Sequence, residues 1–317
     1  MDPIEILELC RRGAHEGAPT DLFVPRLFSA GEFETLWRRE PKKVRRLLDD
    51  LLCGPHPKDG LELLLKTGAL HALFPELAAM KDLGDADGLH KDVWLHSLNV
   101  VAGVPPELDL RWGALMHDIG KVKTRRVVNG RVTFHNHDGV GAQLVDRLND
   151  RTSLFANDVS LLRTVRYLVL EHLRPAGYSP EWTDSAVRRL VTECGDSRFF
   201  EKLMALSRAD LTTKNPKKRD RALARAAELE ARVAEVIASD NAPKLPKGTI
   251  GLVIERRVCP IGPGLTLLKN ALEGAMRRGE LPLDKDAEWY ATEGVSFLMK
   301  KDGMILGPTG ALISTKE

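Results

Sequence analysis

The stretch that most constrains this chain is Leu110-Arg-Trp-Gly-Ala-Leu-Met-His117-Asp118-Ile-Gly-Lys121. An apolar run there ends with an imidazole and a carboxylate side by side, then a Gly and a Lys. Adjacent side chains on a helix point about 100° apart. His117 and Asp118 can therefore grip one ion only where the backbone bends or the helix stops, and Gly120 offers such a stop. An imidazole beside a carboxylate suits Mn, Fe, Co, Ni or Zn better than Ca or Mg. Two ligands do not complete a site, so further donors are expected elsewhere in the chain.

Four candidates follow that pattern. His96 sits in the apolar-periodic segment Val93–Val101, and His137 in Phe134-His-Asn-His-Asp138. His172 closes Tyr167–His172 and Asp210 closes Leu203–Asp210, each a polar ligand type ending an apolar helix. The order is His, His-Asp, His, His and a late Asp. Together with His90-Lys-Asp92-Val-Trp94-Leu-His96 and His137-Asp-Gly-Val-Gly-Ala142 it resembles the HD-domain metal-dependent phosphohydrolases. More narrowly, it resembles the HD domain fused to CCA-adding tRNA nucleotidyltransferases and bacterial poly(A) polymerases, from about Phe33 to about Tyr290.

The resemblance implies a mainly α fold: an HD helical bundle with a small β-hairpin insertion and a small C-terminal appendage. It implies that His96, His117, Asp118 and Asp210 hold one divalent ion. Asp118 would bridge to a second ion held by His137 and His172. The ions would be one or two of Mn, Ni, Co, Fe or Zn. Lys121, one helical turn after Asp118, is placed to meet a phosphate oxygen as a point charge. Asp118 and Lys121 are thus the candidate catalytic groups, and Arg125 and Arg126 join Lys121 as candidate phosphate contacts. Asp92, four residues before His96, either orients His96 or is a helix N-terminal charge. If the segment is extended, His135 faces away from His137. His90 lines the cleft or lies on the surface.

The chain has 317 residues, enough for one or two domains, and 43% are hydrophobic. Its net charge of +2 selects no class of partner, so any nucleic-acid argument rests on local patches. The four cysteines, Cys10, Cys53, Cys194 and Cys259, show no paired spacing, which reads as reduced thiols in a cytoplasmic protein. No signal peptide or membrane span is visible in the sequence.

Three regions are expected: a helical neck-like region over 1–81, the HD domain over 82–220, and a helical body-like tail over 221–317. The neck reads as a series of short helices, with a cap at Ser29 and one helix over Leu70–Met80. Helices are expected near Lys91–Gly103, Pro106–Asp118, Val140–Leu148, Ala156–His172, Glu181–Glu193 and Arg198–Leu211. Two β-branched runs flank Asn129-Gly130, a strong hairpin signal at the rim of the site. Pro216 is expected to break the helical pattern before a strong helix former over Asp220–Ala238. Asp302-Gly303 between apolar runs reads as a second hairpin. The basic clusters Lys42–Arg46 and Lys214–Arg221 read as solvated faces or as phosphate-backbone contacts.

About 30 residues precede the neck-like helices, too few for the nucleotidyltransferase head of the polymerases. Asp85-Ala-Asp87 reads as a solvated turn and not as that head's paired aspartates. The expected activity is therefore the hydrolase half alone. The favoured reaction is hydrolysis of a 2′,3′-cyclic phosphate on a nucleotide or RNA 3′ end, with phosphatase action following. The alternatives are a 5′-nucleotidase or (d)NTP phosphohydrolase on the same site, and a non-catalytic RNA-binding scaffold.

Overall fold

In a computed structural model of the protein, the described residues are 2–17, 30–81, 83, 92–194, 197–211, 213, 215–259, 261–302, 304–306 and 312–314. Ser29, Asp85, Asp87 and His90 lie outside them, and so do the readings attached to those residues. Chain contacts divide the molecule into two compact units, Met1–Val233 and Ala234–Glu317.

The first unit opens with α1 (Pro3–Glu16), α2 (Ala30–Arg39), α3 (Pro41–Cys53), α4 (Pro57–Lys66), α5 (Ala69–Leu73) and α6 (Pro75–Ala78). Proline sits in the first turn of α1, α3, α4 and α6, where its missing N–H would have had no helical partner. The single helix expected over Leu70–Met80 is two. Phe74 precedes Pro75 and takes φ −137°, outside the helical range, so the chain restarts at the proline. α1 crosses α4 so closely that a Cβ on Gly60 would lie 2.7 Å from Ala14 Cβ.

There follow α7 (Val93–Gly103), α8 (Leu108–Met116), α9 (Lys121–Thr124), β1 (Arg126–Val128), β2 (Arg131–Thr133), α10 (His137–Thr152), α11 (Val159–Glu171), α12 (Asp184–Cys194), α13 (Ser197–Asp210) and α14 (Pro216–Asn241). The first expected hairpin is present. β1 pairs antiparallel with β2, Val127 opposite Val132, and Asn129 and Gly130 both take positive φ. α10 begins at His137, three residues earlier than expected, because Asn136 in the left-handed region turns the chain into the helix. Pro216 opens α14 and does not break it.

Around this core α8 packs on α11, α11 on α10, and α13 on α7, α8 and α11. Gly113 permits the closest approach, since a Cβ there would sit 2.6 Å from Leu168 Cδ1. Leu98, Leu110, Leu115, Val145, Val165, Leu168 and Leu203 fill the interior. Each such side chain contributes roughly 1.5–3 kcal/mol on burial. The early helices join the same core through an edge-to-face aromatic ladder, Trp37–Phe74–Trp112–Phe155. Beside it Asp49 accepts from Trp112 Nε1 at 2.8 Å and from Arg45 Nε at 2.7 Å, and the Arg45 guanidinium lies over Phe155.

The second unit holds α15 (Thr249–Glu255), α16 (Pro263–Arg277), α17 (Ala287–Trp289), a π turn over Tyr290–Gly294, α18 (Val295–Asp302), β3 (Met304–Leu306) and β4 (Leu312–Ser314). Its core is built on Val253, Leu268, Leu272, Met276, Tyr290 and Leu298. The second hairpin differs from expectation. Val295 onward is helical, because Val295 and Leu298 are three apart and both bury on this core. The strands that do pair are β3 and β4, beyond Gly303. Among the described residues no helix is long and apolar enough to cross a membrane.

Candidate metal centre

α8 stops at Met116, and residues 117–120 form turns, so His117 and Asp118 leave the helical spiral together. Both are interior, at 0% and 1% exposure. Gly120 ends the run for a different reason from the one expected. Its φ of −66° is right-handed, open to any residue. What requires glycine is space: a Cβ would lie 1.9 Å from the His137 carbonyl oxygen and 2.6 Å from Gly141 N. The first turn of α10 is pressed onto the turn that carries Asp118, and this brings His137 to the carboxylate.

The six candidate ligands come from five helices. His96 lies on α7, His117 just past α8, His137 at the start of α10, His172 just past α11 and Asp210 at the end of α13. His96 Nε2 lies 3.2 Å from His117 Nε2, 3.5 Å from Asp118 Oδ2 and 2.9 Å from Asp210 Oδ1. His117 Nε2 lies 3.3 Å from Asp118 Oδ2. On the other side, His137 Nε2 lies 3.3 Å from Asp118 Oδ1 and 3.2 Å from His172 Nε2. His172 Nε2 is 3.9 Å from the same oxygen. Donor atoms of His96, His117 and Asp118, and of Asp118, His137 and His172, thus form two groups, each within 4.8 Å. One oxygen of Asp118 faces each group.

Three imidazoles are held alike. The Nδ1 atoms of His117, His137 and His172 each lie 2.8 Å from a backbone carbonyl three residues earlier, at Ala114, Phe134 and Val169. A carbonyl accepts, so each Nδ1 carries a proton and each Nε2 is the ring atom turned inward, free to face an ion once it has no proton of its own. Donors about 2.1 Å from a shared ion stand about 3.0 Å apart at 90° and about 3.4 Å apart at the tetrahedral angle. The observed spacings suit a divalent ion in each group.

The electrostatics point the same way. Burial works against a charged His117, but the Asp118 and Asp210 carboxylates and the Ala114 carbonyl outweigh it and raise its pKa to about 9. Burial also opposes ionisation of Asp118, yet His117, His137 and Lys121 hold its pKa well below the usual carboxylate range. Against the same opposing burial, His96 and His117 lower Asp210 to about 2. His172 is lowered to about 4, first by burial and then by the charge of His117, and is neutral at pH 7. The site holds carboxylates ionised in the interior and therefore favours positive charge.

A cleft of about 860 Å³ opens onto these donors, lined by His96, Lys121, Phe134, His137 and Asp210 among others. Lys121 Nζ donates to Asp118 Oδ2 at 2.7 Å and lies 5.5 Å from the centre of the Phe134 ring. Arg125 and Arg126 are not among the lining residues; the exposed Arg126 donates to the Arg125 carbonyl. Asp92 is the N-cap of α7, its side chain accepting from Leu95 N at 2.9 Å. His135 is exposed on the rim of the cleft. Sequence reasoning missed Thr133, on the same rim, whose buried Oγ1 has no hydrogen-bond partner among the described residues.

A helical bundle with His and Asp donors converging on its interior is one that could hold metal ions. Residues 93–236 match the HD domain family. Residues 48–81 match the probable RNA and SrmB-binding site of polymerase A. A 125-residue stretch is 35% identical to an A-adding tRNA nucleotidyltransferase of Deinococcus radiodurans. That match covers 37% of this chain and 29% of the relative, so the chain spans less than a third of the length of the curated relative it matches.

Proposed function

We propose that the protein is a metal-dependent phosphohydrolase that opens a 2′,3′-cyclic phosphate on a nucleotide or RNA 3′ end. Phosphatase action on the resulting monoester would follow. The observation that carries this reading is Asp118, whose two oxygens face two separate donor groups. His96, His117 and Asp210 would complete one ion site, and His137 and His172 the other. When bound, a divalent ion polarises a phosphoryl oxygen and acidifies nearby water.

The remaining work falls to the chain. The i−3 carbonyl contacts keep His117, His137 and His172 in one tautomer and one orientation. Lys121, on the cleft wall, sets a positive charge where a phosphate enters. Water adds at phosphorus, one ribose P–O bond breaks, and the ribose oxygen takes a proton, leaving a monoester. The segment of polymerase A RNA-binding type and the tRNA-modifying relative support an RNA end as the substrate.

The test is a panel of 2′,3′-cAMP, 5′-mononucleotides and dNTPs with Mn, Ni, Co, Fe or Zn, run beside His117→Ala. Metal-dependent opening of the cyclic phosphate by the wild type alone is expected. Turnover of only 5′-nucleotides or dNTPs would move the substrate to that class. Protein that neither carries nor responds to metal would leave an RNA-binding scaffold.

A further inference from the structure

The basic run over Lys214–Arg221 has no place in the hydrolytic site, yet α14 carries part of it to that site's edge. A second cavity, of about 230 Å³, is walled by Pro175 and Ala176 on one side and by Lys218, Arg221 and Arg225 on the other. Two of the lining residues lie close in the chain to candidate metal ligands. Pro175 follows His172 by three residues, and Leu211 follows Asp210 directly. Leu211 lines this groove and the metal cleft alike, so the two are neighbours.

The three cations form a row. At 100° per residue Lys218, Arg221 and Arg225 fall within about 60° of one face, and at 1.5 Å per residue they span about 10 Å. Ala222 and the buried Ala226 leave the floor beside them low. Arg221 Nε donates only to its own helix, at Lys217 O, while Lys218 and Arg225 have no side-chain ion pair among the described residues. A stacked strand carries one phosphate about every 3.4 Å, so the row faces three or four successive phosphates. Among the described residues no aromatic side chain lines the groove, so recognition is of the backbone and not of the bases.

We infer that this groove binds the phosphodiester backbone of a single-stranded polynucleotide whose 3′ end lies in the metal cleft. The physiological substrate is then a polymer end and not a free nucleotide. The inference rests on the hydrolase reading only for which end enters the cleft; the groove itself is tested by binding.

The experiment compares the full chain with Lys218→Gln/Arg221→Gln/Arg225→Gln. Glutamine keeps a polar stem and a high helix propensity. Lys217→Gln/Arg219→Gln is the control, removing charge from other faces of the same helix. Unchanged thermal unfolding identifies the variants that are folded, and an Arg221→Lys/Arg225→Lys variant keeps the charge if the triple change unfolds. Binding of a fluorescent single-stranded oligoribonucleotide is measured over a salt series.

The groove variant should bind roughly tenfold or more weakly, with a log–log salt slope shallower by about 2 for three phosphate contacts. The control and the Lys pair should stay near wild type. Equal losses in groove and control variants, an unchanged slope, or displacement by polyglutamate as effective as by RNA would overturn the assignment. In a parallel assay, kcat/KM should fall for an oligoribonucleotide ending in a 2′,3′-cyclic phosphate but not for 2′,3′-cAMP. If neither is hydrolysed, the hydrolase reading fails while the binding result still decides the groove.

Discussion

Replacing Gly120 with alanine tests how the second donor group is held. The added methyl would begin 1.9 Å from the His137 carbonyl oxygen, where real Cβ atoms essentially never come closer than 3.0 Å. The difference, 3.0 − 1.9 = 1.1 Å, must be met by moving backbone, since the obstructing atoms are main-chain atoms of α10. Overpacking of this kind costs about 1–3 kcal/mol. At about 2–4 °C per kcal/mol for a unit of this size, the midpoint of thermal unfolding should drop by several degrees. The larger effect is local. Metal–ligand distances tolerate about 0.2 Å, so a shift near 1 Å at the first residue of α10 removes His137 from its partners. The group of His96, His117 and Asp210 is untouched by that helix. Gly120→Ala should therefore retain one ion and bind the second at least roughly 10- to 100-fold more weakly. Equilibrium dialysis with elemental analysis reads the stoichiometry and calorimetry the midpoint. A variant that holds two ions with wild-type affinity and melts with the wild type would refute this account of why glycine stands there.

Two further outcomes follow. Asp49→Ala strips the buried Trp112 Nε1 and the half-buried Arg45 of their shared acceptor, and should cost about 1–3 kcal/mol in urea unfolding with an unchanged m-value. A change within about 0.5 kcal/mol, the range of an ordinary surface substitution, would count against that network. Metal loading at pH 8 should release the proton that His117 keeps through its pKa of about 9. An ordinary histidine, near 6.5, would have lost its proton by then. Affinity should accordingly climb with pH up to about 9 and then level off. A binding enthalpy independent of the buffer's ionisation heat at pH 8 would rule out that proton.

Several candidate donors were readable because His117, His172 and Asp210 each follow or end an apolar helix, a pattern periodicity exposes, whereas His137 opens α10 and was marked by the family resemblance. The Asn129-Gly130 turn was equally plain, since both residues accept positive φ at little cost. Other features depend on distant contacts. Gly120 looks like a helix terminator from its neighbours, but its reason is the approach of α10. The carbonyl three residues before His117, His137 and His172 fixes each ring, yet that contact depends on helix ends that propensity places only within a few residues. Asp92 fits two roles by spacing, and its bond to Leu95 N shows that it caps α7. Val295 and Leu298 read as strand by their neighbours and are helical because a hydrophobic core receives both at a three-residue interval.

The edge-to-face rings of Trp37, Phe74, Trp112 and Phe155 bear on how this chain could be dissected. Cutting before residue 92 would strip away Trp37 and Phe74 and leave the Trp112 face wetted where it had been sealed. The ion-binding half is thus no portable cassette. Its scaffold includes the segment that matches an RNA-binding site, so the two would have to be inherited, expressed and unfolded as one piece.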